Sequence, residues 1–252
     1  MATLTIEPND RVTYRVRHED ADVLVVDKPA RLVTQPGVGH EHDTLLNGLF
    51  ARWGAQLQNL GAKRDFGLVH RLDKETSGLV VVALSPTGYD SLRAQFAGRT
   101  VQKRYWAICH KPPGEPEGVV RLPIEEVVER KGRYTSTKTG RVVRNAADAG
   151  KAAITAYRVV QASELGALVE ARPVTGRLHQ VRLHLAAIGA GVLGDELYAP
   201  KNARAACQRL CLHACRLRFE HPVTGETVEF RSHMPKELRQ VLRRLDLDVP
   251  NA

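Results

Sequence analysis

His70-Arg71-Leu72-Asp73-Lys74-Glu75-Thr76-Ser77-Gly78-Leu79-Val80-Val81-Val82-Ala83-Leu84 is the stretch that decides how this chain folds. A short apolar piece, Phe66-Gly67-Leu68-Val69, leads into it, and an unbroken apolar run from Leu79 to Leu84 closes it. Such a run reads as a strand buried on both faces, and the polar residues before it read as a turn. Asp73 is displayed on that turn. Loops held by a rigid scaffold carry a disproportionate share of binding and catalytic groups. Between Arg71 and Lys74 the carboxylate is expected to stay ionised. With no second carboxylate or metal-ligand cluster beside it, Asp73 is a candidate nucleophile. A turn aspartate making a surface ion pair would have the same local sequence.

On the N-terminal side, Val12, Tyr14 and Val16 alternate with mostly polar residues, as in a half-exposed strand. Asp22 to Asp27 is a second strand, stopped by Lys28-Pro29, and residues 32–42 are loop-like. Asp43 is expected to cap an amphipathic helix carrying Leu45, Leu46, Leu49, Phe50 and Trp53. Gly54 to Arg64 then reads as a basic, glycine-containing approach to the turn.

On the C-terminal side, Ser85-Pro86 is a helix start, with Tyr89, Leu92 and Phe96 facing inward. Strands are expected over Val101–Ile108, near Val119–Val128, over Ala152–Val160 and over Ala167–Ala171, and a helix over Leu178–Ala190. Leu210–Phe219 and Glu226–Phe230 pair as a hairpin around the turn His221–Gly225. A closing amphipathic helix carries Leu238, Val241, Leu242 and Leu245. Strands outnumber helices and do not alternate with them regularly. The fold class is therefore α+β, with a large mixed, mostly antiparallel β-sheet flanked by helices and loops, expected as a single domain over residues 1–252.

Lys and Arg number 37 against 28 acids, a net charge of +9, and such an excess favours a polyanionic partner, nucleic acid first. Aromatic residues are only 5% of the chain, so recognition should lean on phosphate contacts and shape rather than on base stacking. Arg130 to Lys151, rich in Lys, Arg, Gly, Ser and Thr, reads either as an exposed hairpin suited to phosphate or as a solvated loop. Met1 to Arg11 has no apolar core for a signal peptide, and no apolar run is long enough to span a membrane. A cytoplasmic protein with no membrane partner is expected.

Three of the four cysteines, Cys207, Cys211 and Cys215, recur every four residues, which on a helix would place them along one face; Cys109 stands apart. With His213 among them a zinc site is conceivable, but the usual paired C-x-x-C spacing is missing, so reduced cysteines and no metal are expected.

A second dense cluster is Pro173-Val174-Thr175-Gly176-Arg177-Leu178-His179-Gln180-Val181-Arg182-Leu183-His184-Leu185. Helix N-termini favour anions, and Arg177 or Arg182 would add a fixed cation. Five-residue spacing splays His179 and His184 apart on a helix, so structural histidines are expected rather than metal ligands.

The ordered set H-R-L-D-K-E-T-S-G-L, K-R-Y-W-A, T-G-R-L-H-Q-V-R-L-H-L and G-V-L-G-D-E-L-Y resembles the RluA-type family of pseudouridine synthases acting on ribosomal and transfer RNA. The early D-V-L-V-V-D-K-P-A and the late L-H-A-C-R-L-R-F-E-H-P-V-T-G-E fit the same pattern, so the likeness runs from about Asp22 to Phe230. The resemblance implies that Asp73 is the catalytic aspartate and that Arg71 flips the target uridine out of the RNA. It implies further that Tyr105 packs against the base and accepts the C5 proton, that Arg182 pairs with the aspartate, and that Leu183 lines the pocket. It implies the pseudouridine synthase fold without a preceding RNA-binding domain of the S4 type, for which the residues before Asp22 leave no room. The reaction breaks the N1–C1′ bond of uridine, rotates the uracil and rejoins it through C5. Nothing is oxidised and no group is imported, so no cofactor is required. The implied substrate is RNA (rRNA or tRNA), and the expected state is a monomer.

Two other readings bear on the same residues. A catalytically inactive RNA-binding protein on this scaffold would not need Asp73, Arg71, Tyr105 and Arg182 together. A carboxylate-nucleophile glycosidase normally requires two acids, and Asp73 has no evident partner.

Overall fold

The computed structural model describes residues 5–131, 135–143 and 150–250. In chain order its elements begin with β1 (Arg15–Glu19), β2 (Val23–Lys28), α1 (Leu45–Leu60), β3 (Ser77–Ala83), α2 (Pro86–Gly98) and β4 (Gln102–Cys109). They continue with β5 (Glu117–Val120), β6 (Ile124–Lys131), β7 (Thr135–Val142), β8 (Thr155–Ser163) and β9 (Gly166–Pro173). The last are α3 (Gln180–Ala187), α4 (Lys201–Ala205), β10 (Leu212–Glu220), β11 (Thr227–Arg231) and α5 (Lys236–Arg244). The sheet is large and mostly antiparallel, as an α+β chain requires. The chain divides into two compact units, Met1–Gln102 with Ala214–Ser232, and Lys103–His213 with His233–Ala252.

In the first unit the apolar run after the Asp73 turn is β3, buried along its whole length. It pairs antiparallel with β2, Val25 opposite Val81 and Val26 opposite Val80, and β2 pairs antiparallel with β1. Val23, Val25, Leu79, Val81 and Ala83 pack against Tyr89 and Leu92 of α2 and Leu217 and Phe219 of β10. The α2 start is as expected: the Ser85 hydroxyl accepts the Gly88 amide at 3.0 Å, with Pro86 in the first turn. Gly78 opens β3 at φ 123°, and a Cβ there would sit 2.2 Å from the Ala214 carbonyl oxygen, so only glycine lets β3 begin so close to β10.

Two expectations in this unit are corrected. The cap of α1 is Thr44, not Asp43: Thr44 is extended, its side chain accepts the Asn47 amide, and Asn47 reaches back to the Thr44 amide. Asp43 engages His40 Nδ1 instead, at 3.0 Å. The helix also runs on through Gly54 to Leu60, bending at Trp53, and a 3₁₀ turn over Ala62–Gly67 follows. Leu57 and Leu60 continue the buried face begun by Trp53, and their burial outweighs the ~1 kcal/mol that one helical glycine costs.

In the second unit the strand order is β4-β9-β8-β5, each pair antiparallel, with Tyr105 opposite Ala171. Core side chains there include Ile108, Leu168, Val169, Leu185 and Leu210, closed by Leu238, Val241 and Leu242 of α5. The single strand expected near Val119–Val128 is two, β5 and β6, because Pro123 lacks an amide and interrupts the ladder. Strands β6 and β7 form a hairpin from Ile124 opposite Val142 to Lys131 opposite Thr135, which covers part of the basic Arg130–Lys151 stretch. Residues 132–134 and 144–149 of that stretch lie outside the described residues. Helix α3 is shorter than expected, starting after His179 at φ 52° and ending before Gly189 at φ 81°. Cys207 and Cys211 flank a loop after α4, and Cys215 lies on β10, so the three do not share a helix face. None of the four cysteines is joined in a disulfide.

Candidate functional site

The turn that carries Asp73 is fixed by its backbone. Before it, His70 Nε2 accepts the Val81 amide at 3.0 Å, and the ring stacks on Phe96 with centroids 4.7 Å apart. The Leu72 carbonyl accepts the Thr34 hydroxyl at 2.8 Å. The Asp73 carbonyl accepts the Thr76 amide at 3.1 Å, which closes the turn. Lys28, only 1% exposed, sends its ammonium to the carbonyls of Pro29 (2.9 Å), Leu32 (2.7 Å) and Lys74 (3.3 Å). A buried ammonium is tolerated only when its donors are satisfied, so this one works as a clamp between the loop after β2 and the catalytic-candidate turn. Lys74 itself is exposed, with Nζ 3.1 Å from His40 Nε2. Within this frame the Asp73 side chain is half-buried and Arg71 is exposed.

The other candidates lie on the second unit. Tyr105 is half-buried on β4, packed against the core. Arg182, the third residue of α3, is buried and grips Asp195 with two bonds, Nε to Oδ2 at 2.9 Å and Nη2 to Oδ1 at 2.6 Å. Its guanidinium carbon lies 5.0 Å from the centre of the Tyr198 ring. Burial pushes the Asp195 carboxyl up, but the Arg182 bonds and charge, together with the Leu197 and Tyr198 amides, outweigh it and hold the carboxyl below its ordinary value. A guanidinium has five N–H donors, and Asp195 takes two of them. Leu183 is buried against Ile124 and Ala153. A Cβ on Gly140 of β7 would come 2.7 Å from Leu183 Cδ1, so the end of the Leu183 side chain lies directly against the hairpin backbone.

The loop before α3 is equally well tied. Gln180 Oε1 accepts the Thr175 hydroxyl at 2.6 Å and the Arg177 amide at 3.0 Å, while its amide nitrogen donates to the Ile154 carbonyl at 2.9 Å. His179 Nδ1 lies 2.7 Å from the Tyr198 hydroxyl, which also accepts the Gly140 amide at 2.9 Å. His184 is fully buried between the Thr155 hydroxyl and the Leu122 carbonyl, both at 2.9 Å, and burial lowers its pKa. Both histidines are thus engaged in protein contacts. Among the described residues no group of three or more His, Cys, Asp or Glu side chains is arranged to hold a metal ion. No helix among them is long and apolar enough to cross a membrane.

Asp73 and Arg71 therefore share one turn, while Tyr105, Arg182 and Leu183 belong to the other unit. Sequence reasoning missed Asp195, Tyr198 and Lys28. Asp195 and Tyr198 lie inside the quoted G-V-L-G-D-E-L-Y, where Asp195, Glu196 and Tyr198 interrupt an apolar segment, which is the available signal. In the sequence Lys28 marks only the end of a strand. Lys103, two residues before Tyr105 on the same face of β4, was also passed over; burial lowers its pKa to about 8.

The model of a protein family described as RNA pseudouridylate synthase matches residues 22–187. A ribosomal large subunit pseudouridine synthase D of Zymomonas mobilis is 36% identical over 252 residues, spanning 97% of this chain and 76% of the relative. An uncharacterised RNA pseudouridine synthase of Bacillus subtilis is 37% identical, over 95% of this chain and 74% of its own. Among solved structures, the human RNA pseudouridylate synthase domain containing 4 superposes with a TM-score of 0.70 at 28% identity, covering 94% of this chain and 95% of the other.

Proposed function

Because this chain belongs to the RNA pseudouridylate synthase family, and is an isomerase on that account, we propose that it converts specific uridines of large-subunit ribosomal RNA to pseudouridine, with Asp73 as the catalytic carboxylate. The observation that carries the catalytic assignment is the Asp73 turn. Its backbone is held on both sides by Thr34, Thr76 and the buried Lys28, while the carboxylate is half-buried and Arg71 beside it is exposed. A clamped backbone with a displayed acid is what positioning a reacting group requires. The ribosomal assignment rests on the name of the Zymomonas relative, and the net charge of +9 suits a polyanion.

In this reading Arg71 fills the space a target uridine leaves, offsetting the few kcal/mol that unstacking costs. Asp73 attacks or stabilises the nucleoside as the N1–C1′ bond breaks. Tyr105 supports the base and takes the C5 proton after the C5–C1′ bond has formed, and N1 gains a proton in turn. Arg182, held by Asp195, is the basic residue that keeps the catalytic carboxylate charged against desolvation. Leu183 walls the pocket.

The test is to map pseudouridines in the RNA of a strain lacking this protein. Loss of particular large-subunit sites, restored by the wild-type chain and not by Asp73→Asn, is the expected result. Loss confined to transfer RNA would move the substrate, and an unchanged map would leave only the inactive RNA-binding reading.

A further inference from the structure

Lys74 follows Asp73 directly and takes no part in the proposed chemistry, yet its side chain is aimed. Its Nζ lies 3.1 Å from His40 Nε2, and His40 Nδ1 lies 3.0 Å from Asp43 Oδ2. An ammonium only donates, so Nε2 is the acceptor. The imidazole then carries its proton on Nδ1 and donates it to the Asp43 carboxylate. The His40 bond, against slight desolvation, and the nearby Lys74 charge hold that carboxyl below its ordinary value. The chain Lys74–His40–Asp43 stands on a fixed base. Gly37 and His40 exchange two backbone bonds, at 3.2 and 2.9 Å. The Leu45 and Leu46 amides that open α1 donate to the Val33 and Thr34 carbonyls, at 2.8 and 3.1 Å. All of these residues belong to the first unit.

The fold does not account for this aim. From buried positions, the Thr34 hydroxyl and the Lys28 ammonium already tie the loop after β2 to the Asp73 turn. Lys74 and Asp43 are exposed and His40 is half-buried. An exposed polar contact adds little stability, while ordering a lysine side chain costs entropy. What the chain does supply is one positive charge held at a set place beside Asp73. We propose that Lys74 binds a phosphate flanking the target nucleotide, and that His40, its tautomer fixed by Asp43, is the positioning residue that directs the Lys74 ammonium. The inference rests on the reaction proposed at Asp73: a nucleoside that reaches that carboxylate brings its flanking phosphodiesters alongside the next residue of the turn. Lysine meets a phosphate as a point charge, and such contacts set the register of a nucleic acid rather than read its sequence.

The test is filter binding and steady-state tritium release with a large-subunit ribosomal RNA transcript labelled at uridine C5, at several salt concentrations. Each phosphate contact contributes about 0.7–0.9 to the slope of log affinity against log salt. Lys74→Met should flatten that slope by about this amount. Taking ~1 M salt as the reference, it should weaken binding about five- to eightfold at ~0.1 M, and KM should rise in step. His40→Ala keeps the charge and loses its aim, so the slope should stay as in wild type while binding weakens about two- to tenfold. His40→Gln, which again offers Lys74 an acceptor, should recover most of that loss. A wild-type slope and affinity in Lys74→Met, or a fall in turnover alone, would overturn the proposal, as would wild-type binding by His40→Ala. A wild-type chain that binds the RNA without releasing tritium would instead remove the reaction at Asp73, and the slope would still read the phosphate contact.

Discussion

Asp195→Asn isolates the contact on which the pose of Arg182 depends. The side chains of this ion pair are 6% and 1% exposed, so neither charge has solvent to fall back on. Removing one partner of a buried pair costs about 3–5 kcal/mol, because the other charge is left uncompensated. Asparagine keeps an oxygen where the Leu197 and Tyr198 amides donate, at 3.0 and 3.2 Å, which puts this change at the low end of that range. Urea denaturation should therefore show a loss of about 3 kcal/mol. Pseudouridine formation, measured under conditions where the variant is folded, should fall by about a hundredfold, as expected when a positioned group drifts by about an ångström. A double variant, Arg182→Met with Asp195→Leu, separates the two effects. An apolar pair of similar volume removes the uncompensated charge but leaves the Leu197 and Tyr198 amides without their acceptor, so stability should recover only in part while activity stays lost. Wild-type stability in Asp195→Asn, or near wild-type turnover in the double variant, would refute the reasoning.

Three further outcomes follow from the same geometry. Gly78→Ala drives a Cβ into the Ala214 carbonyl and should cost at least ~3 kcal/mol, read as a fall in the thermal midpoint; a Tm within error of wild type would contradict the close approach. Lys28→Met leaves three carbonyls without their donor and should cost about 2–4 kcal/mol in urea, together with a drop in turnover as the Asp73 turn loosens; unchanged turnover would deny that Lys28 sets the turn. Burial pushes Asp20 up, but the Asp22 and Val23 amides, His18 and His221 hold it lower, at about 2. Because the folded value lies below the unfolded one, near ~3.9, its stabilisation is present above that pH and is lost as pH falls toward ~2. Asp20→Asn should flatten the fall of the urea midpoint across that window, and an unchanged slope would remove Asp20 as its source.

What the sequence revealed was local. The run Leu79–Leu84 announced a buried strand because a parallel burial of both faces leaves no alternation, and Ser85-Pro86 announced α2 because cap and proline act within one turn. The HRLD turn was legible for the same reason. The extent of α1 was misread because Gly54 looked like a stop, while the evidence for continuation, Leu57 and Leu60, lay beyond it. The two ties that fix the candidate site were not legible at all. Lys28 reaches a carbonyl 46 residues away, and Arg182 reaches an aspartate 13 residues on, across a loop. Neither separation leaves a periodic trace, and a lysine ending a strand looks the same whether it caps solvent or fills a carbonyl cage.

The most direct measurement is tritium release from large-subunit ribosomal RNA labelled at uridine C5, with purified wild-type protein and Asp73→Asn side by side. Wild type should release tritium without added nucleotide. Asp73→Asn should release none above the blank while binding the RNA as well as wild type does. Release by Asp73→Asn at the wild-type rate would contradict the assignment of Asp73 as the catalytic carboxylate.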